Sequence, residues 1–242
     1  RGGMSMSTHS DLYELIQLSK NKQKNRMDIK NIRESMNSHM KIRILEEGSS
    51  ILTPDIVGNY VVFVLTGKYF HYRTSKAGKR NLIALCQGPE WIGIDHVLDK
   101  ENANITEDLV LEKCTVLDIE KEYFIECLKS DGDLSVYIIQ NLLGKMSSAS
   151  TRVDVMLLND AKTQVLIWLI EYWNFCKAQG DECVITLKNE YIAEAIGIST
   201  RTLYRVLKDL KQKNIVSIRK NNIVVNKTQI HLIKEMIVNK KF

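Results

Sequence analysis

The chain has 242 residues, of which 44% are hydrophobic and 26% are charged, the composition of a soluble globular protein. The chain has only two prolines and 12 glycines, which excludes fibrous and disordered classes of protein. It has no apolar run near the roughly 20 residues that cross a bilayer, which excludes a membrane-spanning class. The net charge of +5 is unevenly distributed, because residues 184–242 carry 12 basic and four acidic side chains. A basic module on a slightly acidic body is typical of a phosphate-binding domain, although a solvated basic face has the same composition.

The cysteines indicate the compartment in which the protein works. They are dispersed, without a CxxC pair, at Cys86, Cys114, Cys127, Cys176 and Cys183. Dispersed cysteines in a chain of this size predict reduced thiols, and we interpret each as a small buried hydrophobe rather than a redox sensor. Because the sequence also starts without a secretory signal, we expect a cytoplasmic protein.

The first half of the chain changes from a helical to a β-rich pattern. Residues 10–40 predict polar helix without a clear core stripe, and short β-rich runs separated by turn signals follow. The runs are residues 42–45, 51–52, 60–65, 69–72, 81–85, 109–111 and 116–119. Many short strands at this spacing predict an antiparallel sandwich or barrel. Gly67, Gly78 and Gly88 lie between runs and are interpreted as turn residues with positive φ.

After residue 119 the hydrophobic spacing becomes helical. Residues 133–158 contain no proline, and six apolar residues recur there at alternating spacings of three and four, which is an a/d seam. The seam residues are Ile139, Leu142, Met146, Ala149, Val153 and Met156. A helix with such a seam pairs with a copy of itself or packs on its own domain. Asp160 is then predicted to cap a second, buried helix over residues 161–177.

The stretch 189–208, NEYIAEAIGISTRTLYRVLK, predicts two short helices joined by a tight turn. Ala193 is small where the helices must cross, and Gly197 lies where the turn needs a positive φ. Ser199 is predicted to cap the second helix with its hydroxyl group. A small residue, a glycine and apolar contacts at these offsets are typical of a helix-turn-helix, which is a DNA-binding motif.

The second of these helices is predicted to have an apolar face and a cationic face. Arg201, Arg205 and Lys208 recur at helical spacing on the outer face, with Thr200 and Tyr204 beside them. Arginine reads guanine edges in the major groove, whereas lysine, serine and threonine hold phosphates. The predicted DNA contacts of this helix are therefore Ser199, Thr200, Arg201, Thr202, Tyr204, Arg205 and Lys208. The alternative for each charge is an ordinary solvated face.

A hairpin is predicted directly after this helix. Two β runs, residues 215–219 and 223–225, flank a turn that contains Asn221 and Asn222. A hairpin in this position is the wing of a winged helix-turn-helix. Arg219 and Lys220 are predicted to lie against the sugar-phosphate backbone.

Over residues 41–225 the sequence is similar to the Crp/Fnr family of bacterial transcription regulators. Residues 78–93 resemble the family's β-roll hairpin and the turn that follows it, and residues 198–208 resemble its recognition helix. Arg205 falls on the family's usual base-contacting arginine, whereas Thr200 and Arg201 occupy the two variable positions that tune sequence preference. The resemblance favours self-pairing of the seamed helix.

The resemblance implies an α+β fold with three parts. These are an N-terminal antiparallel, jelly-roll-like β-roll over residues 10–130, a long dimerisation helix over 131–158 and a C-terminal winged helix-turn-helix over 159–242. It also implies a homodimer that binds an inverted repeat in double-stranded DNA. Contact with RNA polymerase is typical of the family, and both activation and repression stay open.

The sequence departs from the family's cyclic-nucleotide binders, which carry a Gly-Glu for the ribose and an Arg-Ser for the cyclic phosphate. Here Gly93 is followed by Ile94 and Asp95, and the phosphate-binding positions fall near Asn104 and Ile105, without an arginine. A buried cyclic phosphate without a cationic partner is poorly stabilised, so binding of cyclic AMP is not expected. These five residues are the candidate pocket for an unidentified small-molecule effector.

No catalytic, metal or cofactor site is predicted. The sequence contains no P-loop, GxGxxG, GxSxG or HExxH motif, so an enzyme is not expected. The N-terminal cysteine cluster of the family's iron–sulfur members is missing, and we interpret His71 and His96 as structural or surface histidines, with haem as the alternative. The second function that stays open is a ligand-sensing module that acts through a protein partner rather than DNA.

Overall fold

The computed structural model describes residues 9–20, 29–74, 80–99, 101, 106–176 and 180–238. The chain forms two compact units. Unit 1 comprises Arg1–Ala77 and Cys86–Met146, and unit 2 comprises Gly78–Leu85 and Ser147–Phe242. Across the described ranges, no helix is both long and apolar enough to cross a membrane.

The larger sheet centres on two long antiparallel strands. Its strands are β1 (Met40–Leu45), β2 (Tyr60–Thr74), β3 (Arg80–Gln87), β4 (Glu90–Ile92) and β5 (Thr106–Glu120). They are ordered β1-β5-β2-β3, with β4 paired to β2. The central pair runs from Tyr60 opposite Glu120 to Arg73 opposite Thr106. The predicted β-rich, antiparallel first half is confirmed.

Each long strand joins two runs that the sequence predicts as separate strands. In β2 the join is an irregularity, because the pairing register with β5 shifts between Val64 and Tyr69, and Gly67 takes a φ of +106°. A Cβ at Gly67 would overlap Cys114 on β5, so the close approach of the strands also requires glycine. The positive φ of Gly67 is confirmed, but the predicted turn is wrong, because the chain continues as one strand.

Two other predictions in this region are wrong. Gly88 does not have a positive φ; a Cβ there would lie 2.8 Å from the carbonyl oxygen of Val64, so close packing requires this glycine. Residues 51–52 form a bend instead of a strand, although Ile51 is buried and its N–H donates to the carbonyl oxygen of Asp108 at 2.8 Å. Gly78 lies outside the described residues.

The N-terminal helical segment has a core face that the sequence prediction missed. It forms α1 (Asp11–Lys20) and α2 (Ile29–Glu34). Leu12, Leu15 and Ile16 of α1 are fully buried, and their spacing places them on one side of the helix. They belong to the same apolar cluster as Phe63 and Trp91 of the sheet, so α1 is part of the core of unit 1.

Three further helices follow in the chain, α3 (Ile94–Leu98), α4 (Lys121–Ser130) and α5 (Gly132–Leu158). Asp131 separates α4 from α5 and is almost completely buried. Its carboxylate accepts hydrogen bonds from the backbone N–H of Leu134 at 3.0 Å and of Ser10 at 2.7 Å, which joins the start of α5 to the start of α1. The 27 residues of α5 confirm the predicted long helix.

Unit 2 contains the remaining elements. They are α6 (Ala161–Cys176), β6 (Glu182–Ile185), α7 (Asn189–Ile196), α8 (Thr200–Gln212), β7 (Ser217–Arg219), β8 (Asn222–Asn226) and α9 (Lys227–Val238). The three strands form a small sheet in the order β6-β8-β7. Asp160 accepts a hydrogen bond from the N–H of Thr163 at 2.7 Å, which confirms the predicted cap of α6. β6 and α9 have no counterpart among the elements predicted from the sequence.

Candidate nucleic-acid interface

Helices α7 and α8 form the predicted helix-turn-helix. Gly197 ends α7 with a φ of +82°, and its N–H donates to the carbonyl oxygen of Ala193 at 2.9 Å. Ser199 then caps α8, because its Oγ accepts a hydrogen bond from the N–H of Thr202 at 3.1 Å. The turn glycine and the helix cap are both confirmed.

The turn is also packed against the end of the long helix α5. A Cβ at Gly197 would overlap the terminal methyl group of Met156, which lies over the turn. Met156 is therefore a contact of the helix-turn-helix as well as a predicted seam residue, although 42% of its surface stays accessible. Only glycine satisfies both the backbone conformation and the space at this position.

One side of α8 is fixed in the core of unit 2. Its apolar residues are at most 7% exposed and belong to the cluster that contains Ile192 and Ile196 of α7. These apolar residues are Leu203, Val206, Leu207 and Leu210. Burying each contributes roughly 1.5–3 kcal/mol to stability. Because they occupy one side of the helix, the opposite side faces solvent.

The solvent side of α8 is cationic. Arg201, Arg205 and Lys208 are exposed, and none of the three has an ion-pair partner among the described residues. Tyr204 is exposed beside them, whereas Thr200 is half-buried at the start of the helix. Unpaired guanidinium and ammonium groups on one helix face are suited to phosphates and guanine edges.

Ion pairs hold α8 to α6. Asp209 on α8 accepts hydrogen bonds from Lys162 of α6 at 2.8 Å and from Lys213 at 2.7 Å. These hydrogen bonds hold the pKa of Asp209 below its ordinary value. The carboxylate therefore stays ionised at neutral pH, and the pair to Lys162 fixes one flank of the cationic helix.

The predicted wing is present as a two-residue hairpin. Lys220 and Asn221 connect β7 to β8 with φ values of 46° and 68°, the left-handed pair that a tight hairpin turn needs. Lys220 is exposed at the tip. Arg219 is exposed too, but its guanidinium pairs with Glu182 of β6, so it reaches a phosphate only by sharing or leaving this partner.

The predicted seam residues of α5 lie on the surface of the single chain. Met146 is 68% exposed, and Ile139, Leu142, Ala149, Val153 and Met156 are also exposed. By contrast, Leu134 and Ile138 near the start of α5 are buried in unit 1. An apolar row that extends along a helix surface is typical of a surface that another protein covers.

Three of the five candidate effector residues lie in the described part of the chain. Gly93 adopts a φ of 78° before α3, Ile94 is buried and Asp95 is exposed to solvent. Asn104 and Ile105 lie outside the described residues. The effector pocket therefore stays a prediction.

A polar cluster in unit 1 was not predicted from the sequence. Glu90 accepts a hydrogen bond from the hydroxyl group of Tyr69 at 2.9 Å and pairs with Lys145 of α5 at 2.9 Å. Burial, together with the nearby Glu90 carboxylate, raises the pKa of the Cys86 thiol. These residues share no spacing pattern, because four separate elements supply them, so no motif in the sequence could reveal them.

His71 has a structural partner in unit 1. His71 lies 2.7 Å from the buried carboxylate of Asp108, its partner across the β2–β5 pair. This contact supports the structural interpretation of His71. Over the described ranges, no group of three or more histidine, cysteine, aspartate or glutamate side chains is placed to hold a metal ion. All five cysteines are free thiols.

Comparisons with known proteins agree with this architecture. Residues 163–229 match the Crp-like helix-turn-helix domain. The chain is 23% identical over 193 residues to a global nitrogen regulator of Nostoc sp. (strain PCC 7120), which covers 77% of this chain and 85% of that protein.

Solved structures are similar over most of the chain. A Crp/Fnr-family transcriptional regulator from Eubacterium rectale has a TM-score of 0.69 at 12% identity, covering 86% of this chain and 97% of that one. A Crp/Fnr-family regulator from Thermus thermophilus has a TM-score of 0.66 at 16% identity, covering 82% and 98%.

The chain has a winged helix-turn-helix whose second helix is exposed and cationic. An antiparallel β unit and a long helix precede it. This order of elements is that of a DNA-binding transcription regulator. Over residues 163–229 the chain matches the Crp-like helix-turn-helix domain, and over most of its length it is similar to Crp/Fnr-family regulators.

Proposed function

We propose that the protein acts in the cytoplasm as a homodimer that reads an inverted repeat in double-stranded DNA. The observation that carries the proposal is the exposed face of α8, on which Arg201, Arg205 and Lys208 have no ion-pair partner among the residues described. In this proposal Arg201 and Arg205 bind guanine edges, whereas Lys208 and the half-buried Thr200 and Thr202 hold the phosphates on either side. Ser199, which caps the helix, contributes a phosphate contact at the start.

The wing supplies a second set of backbone contacts. Lys220 at the exposed hairpin tip binds a phosphate directly. Arg219 contributes when its guanidinium, already paired with Glu182, also meets the DNA. Because phosphate contacts are independent of sequence, the wing adds affinity and orientation, and α8 sets the preference for particular bases.

The apolar row on α5 supports self-pairing. Two copies of α5 joined along Ile139, Met146 and Val153 bury side chains that are each more than half exposed in the single chain. A two-fold dimer presents two recognition helices to successive major grooves, with half-site centres about 34 Å apart. The DNA site is therefore an inverted repeat.

Regulation is proposed to act through the helix pair. An unidentified small molecule binds at the effector residues of unit 1. Its binding shifts the two α5 helices, and this shift changes how the DNA-binding helices are presented. RNA polymerase is the proposed protein partner when the regulator activates transcription. The alternative is a sensing module that acts through another protein and leaves DNA unbound.

A binding selection tests this proposal. Purified protein is incubated with fragmented genomic DNA, with and without metabolites extracted from cells, and the bound fragments are sequenced. We expect an enriched inverted repeat, and enrichment that requires the extract would identify a small-molecule signal. Arg205→Ala should weaken the enrichment and relax the preference for one base of the repeat, while circular dichroism shows an intact fold. If the unsubstituted protein enriches no sequence in either condition, the sensing module without DNA binding is favoured.

A further inference from the structure

The recognition helix α8 carries one large aromatic side chain that is not buried in the core. Tyr204 is 52% exposed, whereas the apolar residues of α8 are at most 7% exposed. Over the described part of the chain, Tyr204 makes no hydrogen bond and no ring contact. Leaving an aromatic ring in water costs free energy that a smaller polar residue would avoid.

The position of Tyr204 on the helix places it beside the cationic face. At 3.6 residues per turn, Tyr204 lies about 60° round the helix axis from Arg201 and about 100° from Arg205. Asp209 lies on the opposite flank of that face, where it pairs with Lys162 of α6. The flank that carries Tyr204 is therefore the one that this pair leaves open.

The exposed edges of the bases offer this ring one apolar partner. Among the groups that base pairs present in the major groove, the C5 methyl of thymine is the apolar one, and the others are hydrogen-bond donors or acceptors. An aromatic ring next to two guanine-reading arginines is thus suited to cover a thymine methyl. The phenol hydroxyl is not needed for this contact.

We infer that Tyr204 selects thymine at one position of each half-site by packing its ring on the C5 methyl group. This inference rests on the proposed function, in which α8 enters the major groove. It adds a specificity determinant of different chemistry from the arginines, because the contact is apolar and independent of salt. Burial of one methyl group corresponds to about a fourfold change in affinity.

Three proteins and three DNA duplexes test the inference. The unsubstituted protein, Tyr204→Phe and Tyr204→Ala are each taken through the binding selection, and the enriched half-sites are compared. We expect one thymine that is enriched by the unsubstituted protein and by Tyr204→Phe, but not by Tyr204→Ala. Replacing that thymine by deoxyuridine in one half-site removes a single methyl group. Binding should weaken about fourfold for the first two proteins and stay unchanged for Tyr204→Ala.

Controls separate this inference from the proposed function. Deoxyuridine placed at a thymine outside the enriched positions should leave all three affinities unchanged, and circular dichroism checks that each variant is folded. If no sequence is enriched by the unsubstituted protein, the proposed function fails. If a half-site is enriched but Tyr204→Ala selects the same bases, or if Tyr204→Phe loses the thymine as well, only the methyl contact is overturned.

Discussion

Gly197 shows how one residue connects local backbone geometry to packing. Its φ of +82° is costly for any other residue, and a Cβ would also overlap the end of Met156. We expect Gly197→Ala to lower the free energy of unfolding by about 1–3 kcal/mol from the backbone alone. Urea unfolding followed by circular dichroism measures the change.

Gly144 provides the matched control for that substitution. It lies within α5, and a Cβ there would meet no atom within 4 Å other than those of its chain neighbours and the backbone of its own helix. Because glycine inside a helix is destabilising relative to alanine, Gly144→Ala should raise the free energy of unfolding by roughly 0.5–1 kcal/mol. A Gly197→Ala variant as stable as the unsubstituted protein would show that the turn is free to relax.

Asp131 makes the stability of unit 1 depend on pH. Burial opposes its ionisation, but hydrogen bonds from the Ser10 N–H, the Leu134 N–H and the Ser10 hydroxyl together hold its pKa below the ordinary value of 3.8. A depressed pKa in the folded state contributes stability that is fully present above the unfolded pKa. This stability is lost as the pH falls through the folded pKa.

Unfolding measured in urea from pH 7 to pH 3 tests this dependence. The unsubstituted protein should lose stability below about pH 4, where the unfolded carboxyl begins to bind a proton. Asp131→Asn should be less stable at pH 7 and should show a shallower loss on acidification. Identical slopes for the two proteins would mean that another carboxylate is responsible.

At the scale of elements, the sequence predicts those whose signal is local. Asp160, Gly197 and Ser199 act within four residues of themselves, and each forms the cap or turn expected of it. Elements fixed by distant partners were mispredicted. Gly67 lies within one long strand because of its neighbour Cys114, and α1 is part of the core through contacts with a sheet formed later in the chain.

The apolar seam of α5 is proposed to form the dimer contact, and a substitution in the seam tests this role. We expect Met146→Lys to raise the dimer dissociation constant at least tenfold, because an ammonium group buried between two helices without a partner costs several kcal/mol. Analytical ultracentrifugation over a concentration series measures it. Ser147→Lys is the control, since residue 147 lies about 100° round the helix from Met146. Equal dissociation constants for both variants would place the dimer contact elsewhere.

At the scale of the whole molecule, the sequence predicts the order of the parts better than the residues that act between distant segments. The β unit, long helix and winged helix-turn-helix follow one another as expected. The cluster of Tyr69, Glu90 and Lys145 could not be anticipated, because its members come from β2, β4 and α5. The pairing of Arg219 with Glu182 was equally hidden, since β6 itself was missed.

The charge distribution of the molecule leads to a prediction about salt. In a dimer bound to an inverted repeat, each lysine that holds a phosphate acts twice, once in each half-site. Each lost phosphate contact should lower the slope of log affinity against log salt concentration by about 0.9, so Lys208→Ala should lower it by about 1.8. Lys220→Ala at the wing should behave in the same way.

The salt slope and the base preference are compared among alanine variants of these two lysines, of Arg205 and of the remote Lys234. Arg205→Ala should weaken binding to the selected site by about 1–3 kcal/mol and relax the preference for one base, because it removes a base contact. Lys234→Ala on α9, also exposed, should leave both the slope and the preference unchanged. Fluorescence anisotropy from 50 to 300 mM salt measures all four. If Lys234→Ala lowers the slope as much as Lys208→Ala, the affinity arises from the general basic charge of residues 184–242 rather than from the recognition helix and the wing.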